Sequence, residues 1–139
     1  AGSDAEVSEI LREISQDPDM MPSFRLRAMD ALALFGDSLT LALLEHTIAT
    51  STNDQAEDQR NTLNLLRHHA IMSYAKLKGE AALPALEPLL QGDDLQLKLT
   101  SISAIGKQCG LKGVARLREL RKSDPNRAVQ HEVRKFVQN

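Results

Sequence analysis

The sequence predicts an all-α protein, an α-α superhelix (solenoid) built from about four stacked helical hairpins. Composition is the first observation, since the apolar residues are mainly Leu and Ala, both strong helix formers, and aromatic residues make up only 3%. Helical spacing of the apolar residues is the second observation, and an internal repeat is the third. The length of 139 residues predicts a single domain covering 1–139.

Apolar residues in the first hairpin recur at the i, i+3, i+4, i+7 spacing of an amphipathic helix. The spacing predicts two buried stripes, one formed by Val7, Ile10, Leu11 and Ile14 and the other by Phe24, Ala28, Ala31, Leu32 and Phe35. Gly and Pro groups fall between such stretches and predict helix ends. We expect helices near 4–15, 22–35, 38–50, 60–78, 82–91, 94–108, 111–122 and 126–137, with a bend at Pro88.

The chain repeats its apolar pattern when it is shifted along itself. One forward shift takes Leu86 to Leu117, a longer one takes Leu44 to Leu86, and a backward shift takes Leu44 to Ile10 and Ile48 to Ile14. These shifts predict four hairpins near 4–37, 38–79, 80–110 and 111–139. The second hairpin is longer because it contains a polar loop at 50–58. A hairpin cannot bury its apolar face alone, so neighbouring hairpins are expected to stack.

These features resemble the HEAT-like repeat family, in particular the short repeats similar to those of phycobiliprotein (PBS) lyases. The resemblance lies in stretches such as LRAMDALALFGD (26–37), HAIMSYAKLKGE (69–80) and LPALEPLLQGDD (83–94). It also lies in an acid or amide that precedes a base in three hairpins. The resemblance implies a structural ladder between adjacent turns, formed by Asp19, Arg25, Asn61, Arg67, Asp93 and Lys98.

The resemblance also implies that second helices line a concave surface. On each second helix, some positions point away from the predicted buried stripe and form a column across the stack. A partner is expected there, and the candidate binding residues are Arg27, Asp30, Leu34, His69, Met72, Lys76, Thr100, Ser103 and Lys107. A solvated polar face is the alternative for this column, although Leu34 and Met72 favour contact with a partner.

Charge is unevenly distributed although the net charge is only −2. Residues 1–19 carry six acids against Arg12, a local charge of −5, whereas residues 107–139 carry nine bases against three acids, a local charge of +6. The small net charge argues against a general nucleic-acid binder, which needs an excess of bases. The basic C-terminal hairpins keep nucleic-acid binding open as an alternative.

The sequence shows no pattern typical of catalysis, of a cofactor site or of a metal site. His68 and His69 are adjacent, so they point about 100° apart on a helix and cannot chelate one ion. Cys109 is the one cysteine and is expected to be a buried structural thiol. Paired acids such as Asp93 and Asp94 stand at helix starts, where capping is the expected role.

The predicted function is therefore a non-catalytic scaffold, not an enzyme, that binds a protein or peptide partner on the concave second-helix face. The alternatives are nucleic-acid binding, as in HEAT-like DNA glycosylases, and a HEAT-like lyase or chaperone for a tetrapyrrole protein. We expect a monomer, with end-to-end association, or docking onto further repeats outside these residues, as the alternatives. Residues 1–3 are interpreted as a cloning remnant. The cytoplasm is slightly favoured, and a periplasmic protein with an upstream signal stays open.

Overall fold

A computed structural model describes residues 2–52 and 55–137, with side chains from residue 4 onward. Within these ranges the protein is all-α and has no strand, which confirms the predicted class. The α-helices are α1 (Gly2–Gln16), α2 (Pro22–Phe35), α3 (Ser38–Ala49), α4 (Glu57–Lys78), α5 (Leu83–Gln91), α6 (Leu95–Gln108), α7 (Gly110–Ser123) and α8 (Arg127–Arg134). A short 3-10 helix, Gly79–Ala82, precedes α5. Each predicted helix is present, although α4 begins earlier and α8 ends earlier than expected.

The chain divides into two compact units, an N-terminal unit of residues 1–73 and a C-terminal unit of residues 74–139. The division falls inside α4 and inside the second predicted hairpin, so the four hairpins remain a prediction about the sequence. Within the N-terminal unit α1 packs on α2 and α2 packs on α3. Within the C-terminal unit α6 packs against α5, α7 and α8.

Helix ends in the N-terminal unit follow the expected turn chemistry. Pro22 opens α2, where its missing N–H is harmless, and Gly36 ends the helix with a left-handed φ of 60° that glycine adopts easily. Asp37 then caps α3 by accepting a hydrogen bond from the Thr40 N–H at 2.8 Å. The largest fully buried side chains of this unit are Met29, Leu32, Leu44, Ile48, Leu66 and Ile71.

The two aromatic residues of α2 are not where their stripe predicts. Phe24 is 46% exposed and Phe35 is 38% exposed, so their predicted burial is wrong, and Met29 is almost fully buried instead. Both phenylalanines stand near the ends of α2, where fewer neighbours surround a side chain. The buried face of α2 is therefore centred on Ala28, Met29 and Leu32.

The C-terminal unit is capped by side chains at two helix starts. Asp94 accepts a hydrogen bond from the Leu97 N–H at 3.0 Å, and Asn126 accepts from the Ala128 N–H at 2.8 Å. Gly106 on α6 is needed for packing, since a Cβ at this position would overlap the ring of Phe136. The core of this unit contains Leu86, Leu97, Ile102, Ile105, Leu117, Val129 and Val133.

The predicted loop at 50–58 is only partly described, because Asn53 and Asp54 lie outside the described residues. Its first part is anchored, since Thr52 is buried and its Oγ1 lies 3.2 Å from Oδ1 of Asn64 on α4. Its last residues, Glu57 and Asp58, belong to the first turn of α4.

The fifth helix contains the interior proline that the sequence singles out. α5 continues through Pro88 to Gln91, and the expected bend at Pro88 remains a prediction. Across the described ranges, the helices are too short or too polar to cross a membrane.

Candidate functional site: an apolar groove between α1 and α2

The predicted partner column begins on α2 in the N-terminal unit. Arg27 and Asp30 are exposed there, and Leu34 is 88% exposed. Asp30 Oδ1 lies 3.2 Å from Nδ1 of His69 on α4, so the structure brings these two column residues together. Met72, one turn further along α4, is half-buried.

The remaining column residues lie in the C-terminal unit. Lys76 on α4 and Lys107 on α6 are exposed, whereas Thr100 and Ser103 on α6 are half-buried. Partner binding at the column remains a prediction.

The bases of the predicted ladder form cross-helix contacts, although their partners differ from the predicted ones. Arg25 is nearly buried, and its Nε donates a hydrogen bond to the backbone carbonyl of Ser15 at 3.0 Å. Arg67 donates in the same way to the carbonyl of Ile48, at 3.1 Å from Nε and 2.8 Å from Nη2. Each arginine thus ties a second helix to the end of the first helix before it. The predicted partners are exposed at helix starts, namely Asp19, Asn61 and Asp93.

In the C-terminal unit, the third base of the ladder pairs with an acid that the sequence reasoning missed. Lys98 Nζ lies 2.7 Å from Oδ2 of Asp124, and the two side chains are only 15% and 14% exposed. The hydrogen bond from Lys98 outweighs burial and holds the pKa of the Asp124 carboxyl below its ordinary value. Asp124 follows Asp93 at the same interval that separates Leu117 from Leu86, so the repeat itself could have identified it.

The two arginine contacts also fix the register of α1. Because Arg25 and Arg67 are equivalent, their acceptors Ser15 and Ile48 are equivalent too. The apolar self-alignment of the first helix instead pairs Ile14 with Ile48, so the arginine contacts indicate a register that differs by one position. One position corresponds to a rotation of about 100° around a helix axis.

The apolar stripe of α1 lies on the surface, although the corresponding residues of α3 in this register, Thr40 and Leu43, are buried. Val7 is 46% exposed and Ile10 is 54% exposed, so their predicted burial is wrong. Ser8 and Ser15 are buried in their place, at 3% and 2% exposure. Arg12 Nη1 donates to Ser8 Oγ at 2.6 Å, and Ser15 Oγ donates to the Arg12 carbonyl at 2.9 Å. Hydrogen bonds therefore compensate for burying the two hydroxyls.

The exposed stripe borders a groove between α1 and α2 with a volume of about 370 Å³. Side chains from both helices and from the turn between them form its walls, and they are mostly apolar. The groove is lined by Leu11, Ile14, Met20, Phe24, Arg27 and Ala28. The half-exposed Phe24 lies at its edge, and Met21 beside it is 60% exposed. Arg27 thus belongs both to the predicted column and to this groove.

Acidic side chains flank the exposed stripe of α1 that adjoins the groove. Glu6 and Glu13 stand at positions i−4 and i+3 from Ile10, which makes them its neighbours on the helix surface. Glu9 is in turn a helical neighbour of both, and all three are exposed. The site is therefore an apolar groove with one acidic edge.

The described residues offer little for metal or nucleophilic chemistry. Between residues 2–52 and 55–137, no three His, Cys, Asp or Glu side chains are placed to hold a metal ion. Cys109 is buried, and its Sγ donates to the Gly79 carbonyl at 3.3 Å. Burial, aided by Glu80, raises the pKa of this thiol, which keeps it protonated and unreactive at neutral pH.

Comparisons with protein-family models, with curated proteins and with solved structures found no match for this chain. The resemblance to HEAT-like repeats therefore rests on the residues quoted above.

Proposed function

We propose that this chain is a non-catalytic module of HEAT-like hairpins that binds a protein or peptide partner through the groove between α1 and α2. The observation that carries the proposal is the exposed apolar stripe of α1, with Val7 at 46% and Ile10 at 54% exposure. A contiguous apolar surface with a polar border is typical of a protein-interaction site, since its burial by a partner releases water.

The stripe of α1 is exposed although its counterpart in α3 is covered, which supports a partner at this surface. The equivalent first-helix position is fully buried at Leu44, Leu86 and Leu117, and Leu11 occupies it in α1 in the corrected register. In the same register Ile10 corresponds to Leu43 on α3, which is only 7% exposed, so α1 leaves uncovered an apolar position that is covered in α3. α1 keeps four large apolar side chains even though serines occupy two of its buried positions.

The predicted second-helix column enters the proposal through Arg27, which lines the groove. Leu34, at 88% exposure, would extend the contact along α2. The column residues of the C-terminal unit form a second surface of the same proposal, and they are Lys76, Thr100, Ser103 and Lys107. Charge reversal at Lys76 and Lys107 tests that surface separately from the groove.

The nucleic-acid alternative receives less support from the C-terminal unit. Several of its bases are held by acids of the same unit, which reduces the positive potential available to phosphates. These ion pairs are Lys112 with Glu80, Arg116 with Glu87, Lys122 with Glu119 and Lys135 with Glu132.

A peptide-display selection against the folded protein tests the proposed function. A random peptide library is selected in parallel on the wild-type chain and on the double variant Ile10→Asp/Phe24→Asp. We expect sequences that bind the wild type and lose binding to the double variant, because one charge in the groove and one on the adjoining stripe would need desolvation on binding.

The matched control is Leu39→Asp on α3, since Leu39 is 57% exposed and does not line the groove. Circular dichroism of each variant establishes that the helices are intact. Ligands that bind all three proteins equally, or a selection that yields no ligand, would contradict the proposed function.

A further inference from the structure

Building on the proposed function of the groove, we infer that its occupant is an amphipathic helix from outside the described residues, with an apolar stripe and a basic edge. Three features of the described residues indicate this kind of partner. They are the helical walls of the groove, its acidic edge, and the scarcity of a matching surface on this chain.

The walls of the groove favour a helix over an extended strand. α1 and α2 satisfy their backbone groups internally, so they offer no sheet edge to which a strand could hydrogen-bond. A strand buried there would leave its own N–H and C=O groups unpaired, whereas a helix brings them already paired. Val7, Ile10 and Ile14 span about 10 Å along α1, a length that two turns of a helix match.

The acidic edge favours basic side chains on the partner. Glu6, Glu9 and Glu13 are exposed beside Ile10, and Arg12 on the same helix already donates to Ser8. A helix lying over the apolar stripe would place one of its polar edges against these three carboxylates. Lys or Arg at that edge would form ion pairs, while Glu or Asp would be repelled.

A second copy of this chain fits the groove poorly. Among the described residues of the C-terminal unit, the large apolar side chains with substantial exposure are Leu77 at 39% and Leu111 at 87%. These do not form a helical stripe, because Leu77 belongs to α4 and Leu111 to α7. Groove-to-groove pairing of two copies would bring two acidic edges together, which like charges oppose.

The C-terminal unit itself contains a helix of the inferred kind. α8 buries Val129 and Val133 and is followed by buried Val137, while its exposed bases include Arg127 and Arg134. The apolar side chains of this helix are already covered within its own unit. An external helix of similar character would supply the same combination to the groove.

Three synthetic peptides test the inference directly. The first carries a Leu stripe at helical spacing with Lys along one edge, the second has the same stripe with Glu in place of Lys, and the third scrambles the first so that the stripe is lost. Binding of labelled peptide to the full chain is followed by fluorescence anisotropy at low and high salt.

We expect the basic peptide to bind about tenfold more tightly than the acidic one, since three surface ion pairs each contribute modestly. High salt should reduce this preference, and the scrambled peptide should not bind. Ile10→Asp should abolish binding of the basic peptide. The triple variant Glu6→Gln/Glu9→Gln/Glu13→Gln should keep binding but lose most of the preference between the two striped peptides.

Failure of the inference can be separated from failure of the proposed function. If the acidic peptide binds as well as the basic one, or if groove-dependent ligands from the display selection bind in an extended form, the inference is overturned while the proposed function stands. A dimer in light scattering that Ile10→Asp dissociates would also overturn it, in favour of a second copy. A display selection without any groove-dependent ligand removes the proposed function itself.

Discussion

The two units of this chain are both built from helices, but they differ in how many large apolar side chains they leave exposed. Of the described large apolar side chains with substantial exposure, eight belong to the N-terminal unit and two to the C-terminal unit. The C-terminal unit also joins its elements by ion pairs such as Lys98 with Asp124 and Arg116 with Glu87. The proposed binding surface therefore falls in the unit that leaves more apolar surface uncovered, because surface kept for a partner cannot also be buried in the fold.

The largest expected effect comes from a matched pair of isoleucines, one from each unit. Ile105 on α6 is fully buried, so Ile105→Ala should cost about 3 kcal/mol of unfolding free energy through lost burial and the resulting cavity. Ile10→Ala should cost less than about 1 kcal/mol because Ile10 is already 54% exposed. Urea unfolding followed by circular dichroism measures both. Equal losses would show that the stripe of α1 is part of the core.

The next effect concerns the acid that pairs with Lys98. Asp124→Asn should lower the unfolding free energy by about 2 kcal/mol, since Lys98 would lose its carboxylate in a mostly buried position. Asp93→Asn is the control, because Asp93 is exposed, and should change stability by less than about 0.5 kcal/mol. Thermal unfolding of the two variants distinguishes these outcomes. A larger loss of stability for Asp93→Asn than for Asp124→Asn would indicate that Asp93 is the partner of Lys98.

Acid should act differently on the cross-helix contacts of the two units. The pKa of the Asp124 carboxyl is lowered in the folded protein, so its contribution is present above the ordinary carboxyl pKa of about 4 and is lost as the pH falls through the lower folded value. The stability difference between wild type and Asp124→Asn should therefore shrink below about pH 4. The carbonyl of Ser15 does not titrate, so the difference for Arg25→Met should change less. Denaturant unfolding across this pH range tests the contrast.

The smallest expected effect concerns the most exposed leucine of each unit. Leu34 is 88% exposed and Leu111 is 87% exposed, so replacing either with Gln should change the unfolding free energy by less than about 0.5 kcal/mol. Leu34→Gln should nevertheless weaken binding of groove-dependent ligands if the contact extends along α2. A destabilised Leu111→Gln variant would show that the C-terminal unit also depends on a surface leucine.

Much of the fold could be predicted because apolar spacing reports local structure. The helices α2, α3 and α6 begin and end close to their predicted positions, where local turn chemistry acts through Pro22, Gly36, Asp37 and Asp94. The ladder bases were also predictable, since Arg25, Arg67 and Lys98 recur with the repeat.

The orientation of α1 could not be predicted from its stripe alone. A self-alignment that rewards apolar matches places Ile14 on Ile48, in preference to the correct register that places Ser15 there. The choice is made by a tertiary hydrogen bond, from Arg25 to the Ser15 carbonyl, which no local pattern contains. The groove escaped prediction because the exposure of Val7 and Ile10 depends on tertiary packing, which apolar spacing does not report.

The ladder has two kinds of acceptor, a backbone carbonyl for the arginines and a carboxylate for Lys98, and they place different constraints on substitution. A backbone carbonyl is present whatever side chain stands at position 15 or 48. Substitutions there therefore keep the acceptor of the hydrogen bond from Arg25 or Arg67. Lys98 and Asp124 can be replaced only together. Replacing one of them alone would leave the other as an unpaired charge in a mostly buried position. Among related sequences, paired change should mark positions 98 and 124, whereas positions 25 and 67 should keep their arginines while positions 15 and 48 vary within what their burial allows.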